Sequence, residues 1–317
     1  MGKRIKKGKI TMSIKTIKAT VNGQIYDLTL NESTGKYEAV ITAPSGSSFN
    51  LDGGYYPVSV TATDTAGNST TVDSTHATLG ESLKLYVKEV NKPVTTILEP
   101  SDGAYVTNSK PVIRFKIVDN AVQTSGYSGV NKDSVVLKVN GSAVSGVTWT
   151  DTDGGYIGIY TPANALADGN CTVSVDAKDN DGNSADTVSC SFKIDTLAPS
   201  LTVDTPADGL ETNQSALTVS GTTDDATSKP VTVRITLNGT DQGNVTVNED
   251  GTFSKDITLS QQGENTIVVT ATDSAGKTTT VTRRVIYNTT APVIKSVVIA
   301  PNPVNAGNTY TITVEVE

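Results

Sequence analysis

Apolar and polar residues alternate along most of this chain, and three of the alternating runs end in the same bend. Val60 to Asn68 reads Val-Thr-Ala-Thr-Asp-Thr-Ala-Gly-Asn, Val175 to Asn183 reads Val-Asp-Ala-Lys-Asp-Asn-Asp-Gly-Asn, and Val269 to Lys277 reads Val-Thr-Ala-Thr-Asp-Ser-Ala-Gly-Lys. A period of two puts every second side chain on one face, so each run predicts a half-buried strand. The aspartate and glycine that follow (Asp64 and Gly67, Asp179 and Gly182, Asp273 and Gly276) predict a tight turn into a second β-rich run. The recurrence makes the chain an array of one β unit.

Proline-bearing joints divide the array at Asn91-Lys92-Pro93, Asp195-Thr196-Leu197-Ala198-Pro199 and Asn288-Thr289-Thr290-Ala291-Pro292. Proline fixes its own φ and keeps the preceding residue extended, which makes such joints short and stiff. Pro93, Pro199 and Pro292 lie 106 and 93 residues apart, so the second unit carries an insertion, assigned to the polar stretch 120–132. In the second unit strands are predicted over 112–118, 134–139, 147–149, 155–160, 171–177 and 187–194, with Asn140-Gly141 and Asp153-Gly154 as turns. The third repeats this order over 217–220, 231–237, 243–247, 251–257, 265–271 and 279–287. Strands of this length with a turn signal about every ten residues describe a Greek-key sandwich.

The expected fold is all-β: tandem sandwiches with a C-terminal half-domain. Its divisions are a basic tail at 1–11, a first sandwich of reduced size at 12–91, full sandwiches at 92–195 and 196–288, and two strands of another at 289–317. In that last segment Tyr310, Ile312, Val314 and Val316 alternate with Thr311, Thr313, Glu315 and Glu317. Two strands alone leave an apolar face uncovered. Either the domain continues past residue 317, or residues 293–317 donate strands to a neighbouring chain.

Composition supports the pattern. The 317 residues allow about three domains, and with 5% aromatics, 27 glycines and few helical signals they suit short strands joined by turns. A net charge of −8 argues against an electrostatic grip on nucleic acid. Lys3, Arg4, Lys6, Lys7 and Lys9 crowd the start and are read first as a solvated tail, with a basic arm as the alternative. No run approaches the ~20 apolar residues that span a bilayer, and no signal-peptide core follows the lysines, so neither membrane insertion nor export by this segment is expected. Cys171 and Cys190 fall on inward positions of adjacent strands; two reduced thiols are preferred, with a cross-strand disulfide as the alternative.

The aspartate of the repeated bend is placed to accept backbone N–H groups across it, while the glycine supplies positive φ. A sharper reading makes it a calcium ligand, with Asp179 and Asp181 as candidate oxygens and Asp176 or Asp195 nearby. No other cofactor is expected. The sequence Thr-Ala-Thr-Asp-Xaa-Ala-Gly-Asn, a second strand, then Asp-Thr-Xaa-Ala-Pro resembles the bacterial immunoglobulin-like domains found in tandem in surface adhesins and tailed-phage virion proteins. Val175 to Asn183, with Tyr160 to Gly169 before it, carries the resemblance best. It covers roughly residues 90–290 well and the first unit moderately, and it is specific for fold more than for function.

Catalysis has little support. His76, the single histidine, sits in a Thr/Ser-rich segment with no readable nucleophile or carboxylate partner, and Asp224-Asp225 and Glu249-Asp250 read as turn residues. Trp149, Tyr156 and Tyr160 offer aromatic faces, but Trp149 on a short strand reads first as core. Gln123, Tyr127 and Asn131, in the insertion at the end of the second sandwich, are the candidate glycan contacts. The resemblance implies a non-catalytic structural or adhesive protein of a tailed-phage virion, partnered by other virion or surface proteins and by host-surface glycans. The alternative is the stalk of a bacterial cell-surface adhesin.

Overall fold

The computed structural model of the protein describes residues 13–119 and 126–317. The predicted basic tail at 1–11 and Gln123 lie outside the described residues. Among the described residues the only helical elements are two short 3-10 turns, Asp52–Gly54 and Gly80–Leu83. The chain divides into two compact units, one of Met1–Ala104 with Lys110–Phe192 and one of Tyr105–Ser109 with Lys193–Glu317.

The first unit holds two modules. The N-terminal one is a single sheet, ordered Lys36–Glu38, Gln24–Asn31, Ile14–Val21, Tyr56–Asp64, Ser69–Val72, with Lys84–Leu85 also paired to Tyr56–Asp64. This corrects the expected first sandwich. The segment 39–55, with Pro44, Gly46 and three serines among its residues, forms no strand and so supplies no second sheet. Its buried apolar side chains are Ala19, Val21, Tyr56 and Val87, and Ile25 is left 66% exposed.

The second module is a full sandwich. Thr148–Thr152, Gly155–Tyr160, Ile113–Val118 and Val94–Glu99 form one sheet, and Ser142–Ala143, Val130–Val139, Gly169–Asp179 and Val188–Ile194 lie in the other. Ile113, Phe115 and Ile117 face inward from the first sheet, Leu137, Val173, Val175 and Phe192 from the second. The polar stretch is partly strand: the ladder to Gly169–Asp179 begins at Val130, then breaks between Asn131 and Val136.

In the second unit the third module repeats this plan. Ser200–Thr205, Ala216–Asp224 and Thr252–Thr258 form one sheet, and Leu210–Thr212, Thr278–Tyr287, Gly263–Thr272, Thr232–Leu237 and Thr240–Asp241 the other. The core is built from Val203, Val219, Ile235, Phe253, Ile267 and Val269. Leu210–Thr212 pairs in parallel with Thr278–Tyr287, and Tyr105 and Val106 pair in parallel with Lys193 and Ile194. The predicted strand 243–247 does not form, and only Val247 bridges to Phe253. Ile294–Ala300 and Thr311–Val316 pair as a two-stranded sheet whose apolar side chains, from Ile299 at 45% to Ile294 at 63%, stay exposed.

The two sandwich cores differ by a reciprocal exchange. Phe115 stands opposite Gly158 in the second module, and at the same register Gly221 stands opposite Phe253 in the third. A β-carbon on Gly158 would lie 2.3 Å from the Phe115 ring, and one on Gly221 would lie 2.9 Å from that of Phe253. Trp149, on the other side of Gly158, meets Phe115 edge-on at 5.7 Å, so it packs into the sandwich instead of standing free.

Candidate functional site

Two core strands in each sandwich, one of them the strand that runs into the repeated bend, end in an acid still in phase with the inward positions. Ile113, Phe115 and Ile117 lead to Asp119; Cys171, Val173, Val175 and Ala177 lead to Asp179. In the third module Val219, Gly221 and Thr223 lead to Asp225, and Ile267, Val269 and Ala271 lead to Asp273. Period two keeps such carboxylates pointing between the sheets. Because the members of each pair come from facing sheets, they meet at one end of the sandwich.

A third acid comes from the segment entering the module, Glu89 in one case and Asp195 in the other. Glu89, Asp119 and Asp179 bring three carboxylate oxygens within 4.8 Å of one another, as do Asp195, Asp225 and Asp273, and all six residues are buried. Backbone N–H groups hold the set in place. Glu89 Oε1 accepts from the Ser128 N–H, Asp119 Oδ2 from Gly129 at 2.6 Å, and Asp179 Oδ1 from Asn183 at 2.8 Å. In the second cluster Asp225 Oδ1 accepts from Thr227 at 2.8 Å and Ser228 at 2.6 Å, Asp273 Oδ1 from Lys277 at 2.8 Å, and Asp195 Oδ2 from the Ser228 hydroxyl.

Charge is left over in both clusters. None of the six acids forms an ion pair with a lysine or arginine among the described residues. Asp119 Oδ1 and Asp273 Oδ2 are buried without a hydrogen-bond partner, in residues only 2% and 5% exposed. Burial, against the opposing pull of the Gly129 N–H, and then the neighbouring Glu89 and Asp179 charges push the Asp119 carboxyl up to about 7.

All three bends share one backbone geometry. The Gly67, Gly182 and Gly276 N–H groups donate to Asp64, Asp179 and Asp273 carbonyls at 3.1, 3.3 and 3.1 Å, with glycine φ of 92°, 97° and 84°. The carboxylate role expected for the aspartate is present in every copy as well, since Asp64, Asp179 and Asp273 Oδ1 accept the N–H groups of Asn68, Asn183 and Lys277, each at 2.8 Å. Asp64 differs in its surroundings: it lies on the single-sheet module and is half-buried, and the Asn68 side chain and N–H hold its carboxyl below the usual range.

Of the candidate calcium ligands, Asp179 belongs to a cluster and Asp181 does not. Asp181 Oδ2 instead accepts the Glu89 N–H at 2.9 Å, which positions the linker acid from outside. Asp176 pairs with Lys138 at 2.8 Å, and Asp195 serves the other cluster. Reading the sequence for ligands within the bend missed Glu89, Asp119, Asp225 and Asp273. For Asp119 and Asp273 the available signal was an aspartate two residues beyond the last inward apolar side chain, whereas Asp225 follows the inward Thr223 and Glu89 lies in the entering segment.

Beside the first cluster lies an open groove of about 620 Å³, lined by Tyr127, Tyr156, Asn50, Asn180 and Asp119 among others. The N-terminal module contributes Asn50, whose amide donates to the Tyr127 and Ser128 carbonyls at 2.8 and 3.1 Å. Tyr127 thus reaches the groove, whereas Asn131 starts the ladder to Gly169–Asp179 and is not among its lining residues. Cys171 and Cys190 are buried free thiols, and burial raises both above the usual thiol range. His76 Nδ1 accepts the Thr78 and Leu79 N–H groups at 3.3 and 3.2 Å, a turn-capping role.

Residues 101–196 match the family model of the bacterial Ig-like domain, and residues 199–289 match that of domain B of glucodextranase. No curated protein matches the chain. Among solved structures, the fibronectin(III)-like modules of Clostridium thermocellum CbhA are 18% identical, covering 62% of this chain and 94% of theirs with a TM-score of 0.37. Sidekick-1 immunoglobulin domains 1–4 are 8% identical over 87% of this chain and 68% of theirs, with a TM-score of 0.38. A 1.5-MDa bacterial ice-binding adhesin is 18% identical over 89% of each chain, with a TM-score of 0.30. The chain carries tandem immunoglobulin-like domains, and the bacterial type expected from Val175 to Asn183 falls within the matched second module.

Proposed function

We propose that this chain is a non-catalytic, surface-displayed adhesive module, with the groove of the second module as its glycan contact. The observation that carries the reading is the pairing of Tyr127 and Tyr156 with the Asn50 and Asn180 side chains around a groove of about 620 Å³. Aromatic faces cover the apolar faces of a sugar ring, and the Asn50 and Asn180 amide oxygens accept from its hydroxyls, their NH2 groups being engaged by the Tyr127, Ser128 and Gly129 carbonyls. Weak single contacts of this kind serve adhesion when many copies act together. The display surface proposed first is a tailed-phage virion, with the bacterial cell surface as the alternative. Flanking capsid or tail genes would favour the first, and an export signal in the full reading frame the second.

A glycan array probed with the full chain tests the contact. Binding that Tyr156→Ala and Tyr127→Ala each reduce about tenfold or more, with unchanged circular dichroism, supports it. Retention of all binding by both variants, or no binding by the parent chain, sets it aside. A second reading, an accessory module of a carbohydrate-acting enzyme, is favoured by the match of residues 199–289 to a glucodextranase domain.

A further inference from the structure

We infer that the two buried triads, Glu89 with Asp119 and Asp179, and Asp195 with Asp225 and Asp273, are each a calcium site. The inference does not depend on the glycan reading, because it rests on the ends of the core strands and not on the groove.

Three carboxylates buried together carry up to three negative charges, and a buried charge without a partner is strongly disfavoured. No lysine or arginine among the described residues forms an ion pair with them. Two escapes exist: protons shared among the acids, or a cation. The geometry points to the cation. Oxygens that each lie about 2.4 Å from a common calcium ion are at most twice that far apart. The clusters meet this limit, with no two of the three oxygens beyond 4.8 Å.

The hydrogen bonds sharpen the point. In each cluster one buried aspartate has one oxygen fixed by a backbone N–H and the other without a partner: Asp119 Oδ2 and Oδ1, Asp273 Oδ1 and Oδ2. A carboxylate steered by one oxygen and open at the other is a ligand waiting for an ion. The donor set is all oxygen, with no histidine or thiol, which selects a hard cation over zinc. The arrangement also appears twice, in modules whose other residues at these strand ends differ: Asn183 stands in one bend where Lys277 stands in the other.

The entering segment supplies one ligand each time, so the ion ties that segment to the strand ends of the module it precedes. The N-terminal module repeats the bend, yet Asp64 belongs to neither cluster among the described residues. The expected number of ions is therefore two.

The test uses the full chain stripped with EDTA and titrated calorimetrically with CaCl2 and, separately, MgCl2. Calcium is expected to bind at two sites per chain and to raise Tm by on the order of 10 °C at saturation. Asp119→Asn and Asp225→Asn are each expected to lower the stoichiometry to one, while Asp64→Asn, outside both clusters, keeps two. Circular dichroism of each variant separates lost binding from lost folding, and Asp179→Asn and Asp273→Asn provide a second pair. Absence of calcium heat and of any Tm shift in the stripped parent chain would overturn the inference. Unchanged stoichiometry in folded Asp119→Asn and Asp225→Asn would do the same, and equal affinity for magnesium would overturn the assignment to calcium.

Discussion

Asp119 shows how one residue can be read two ways by its surroundings. Its carboxyl is pushed up to about 7, mainly by burial, whereas an unfolded chain would ionise it near the ordinary aspartate value of about 3.9. Between these values the folded state holds a proton that the unfolded state has released, so its stability falls as pH rises through the window. In EDTA, Tm is expected to drop from pH 5 to pH 8, and Asp119→Asn, which mimics the neutral acid, is expected to flatten that drop. A thermal melt series at four pH values checks both. The residue was legible in principle, since it sits two positions past Ile117. Its partner Glu89 was not, because nothing in the sequence brings the end of one module beside the second strand of the next.

At the level of strands, the Phe115 and Gly158 pair against Gly221 and Phe253 shows that the core keeps a volume, not a residue. Gly158→Phe alone forces two rings into one space, and Phe115→Gly alone leaves a cavity; each is expected to cost about 3–5 kcal/mol. The double exchange places the ring on the other strand, as in the third module, and is expected to recover at least half of the summed loss. Urea titrations of the three variants measure it. The alternating runs made most of the longer strands of both sandwiches readable, and Asn140-Gly141 one turn of the second module, but the opening strands Val94–Glu99 and Ser200–Thr205 and short pairings such as Leu210–Thr212 were not predicted. The segment 243–247 misled because its valines alternate like a strand, while Gly243, at a φ of 80°, and the short pairing at Thr240–Asp241 end the ladder early.

Taken whole, the molecule is uneven in how much it buries. Among the described residues the N-terminal module has four buried apolar side chains, whereas the second and third modules enclose facing layers around Phe115, Phe192 and Phe253. Amides of Ile14–Val21 are therefore expected to exchange with deuterium at least about 100-fold faster than those of Gly169–Asp179, since local opening follows local burial. Mass spectrometry of the exchanged full chain would show the ranking, and equal protection would contradict it. The shortened first unit was visible in the sequence as missing strands. That it lacks a second layer was not, because a polar strand and an irregular segment rich in serine look alike until tertiary pairing decides.

The thin first module has a mechanical corollary. Under tension transmitted along the backbone, a lone sheet with so few enclosed side chains yields before the two sandwiches do. Its unravelling would pay out roughly 250 Å of slack. Such a segment would lengthen first while the two sandwiches, with their enclosed cores, stay folded, and its unravelling would draw Asn50 away from the groove beside the first acid cluster.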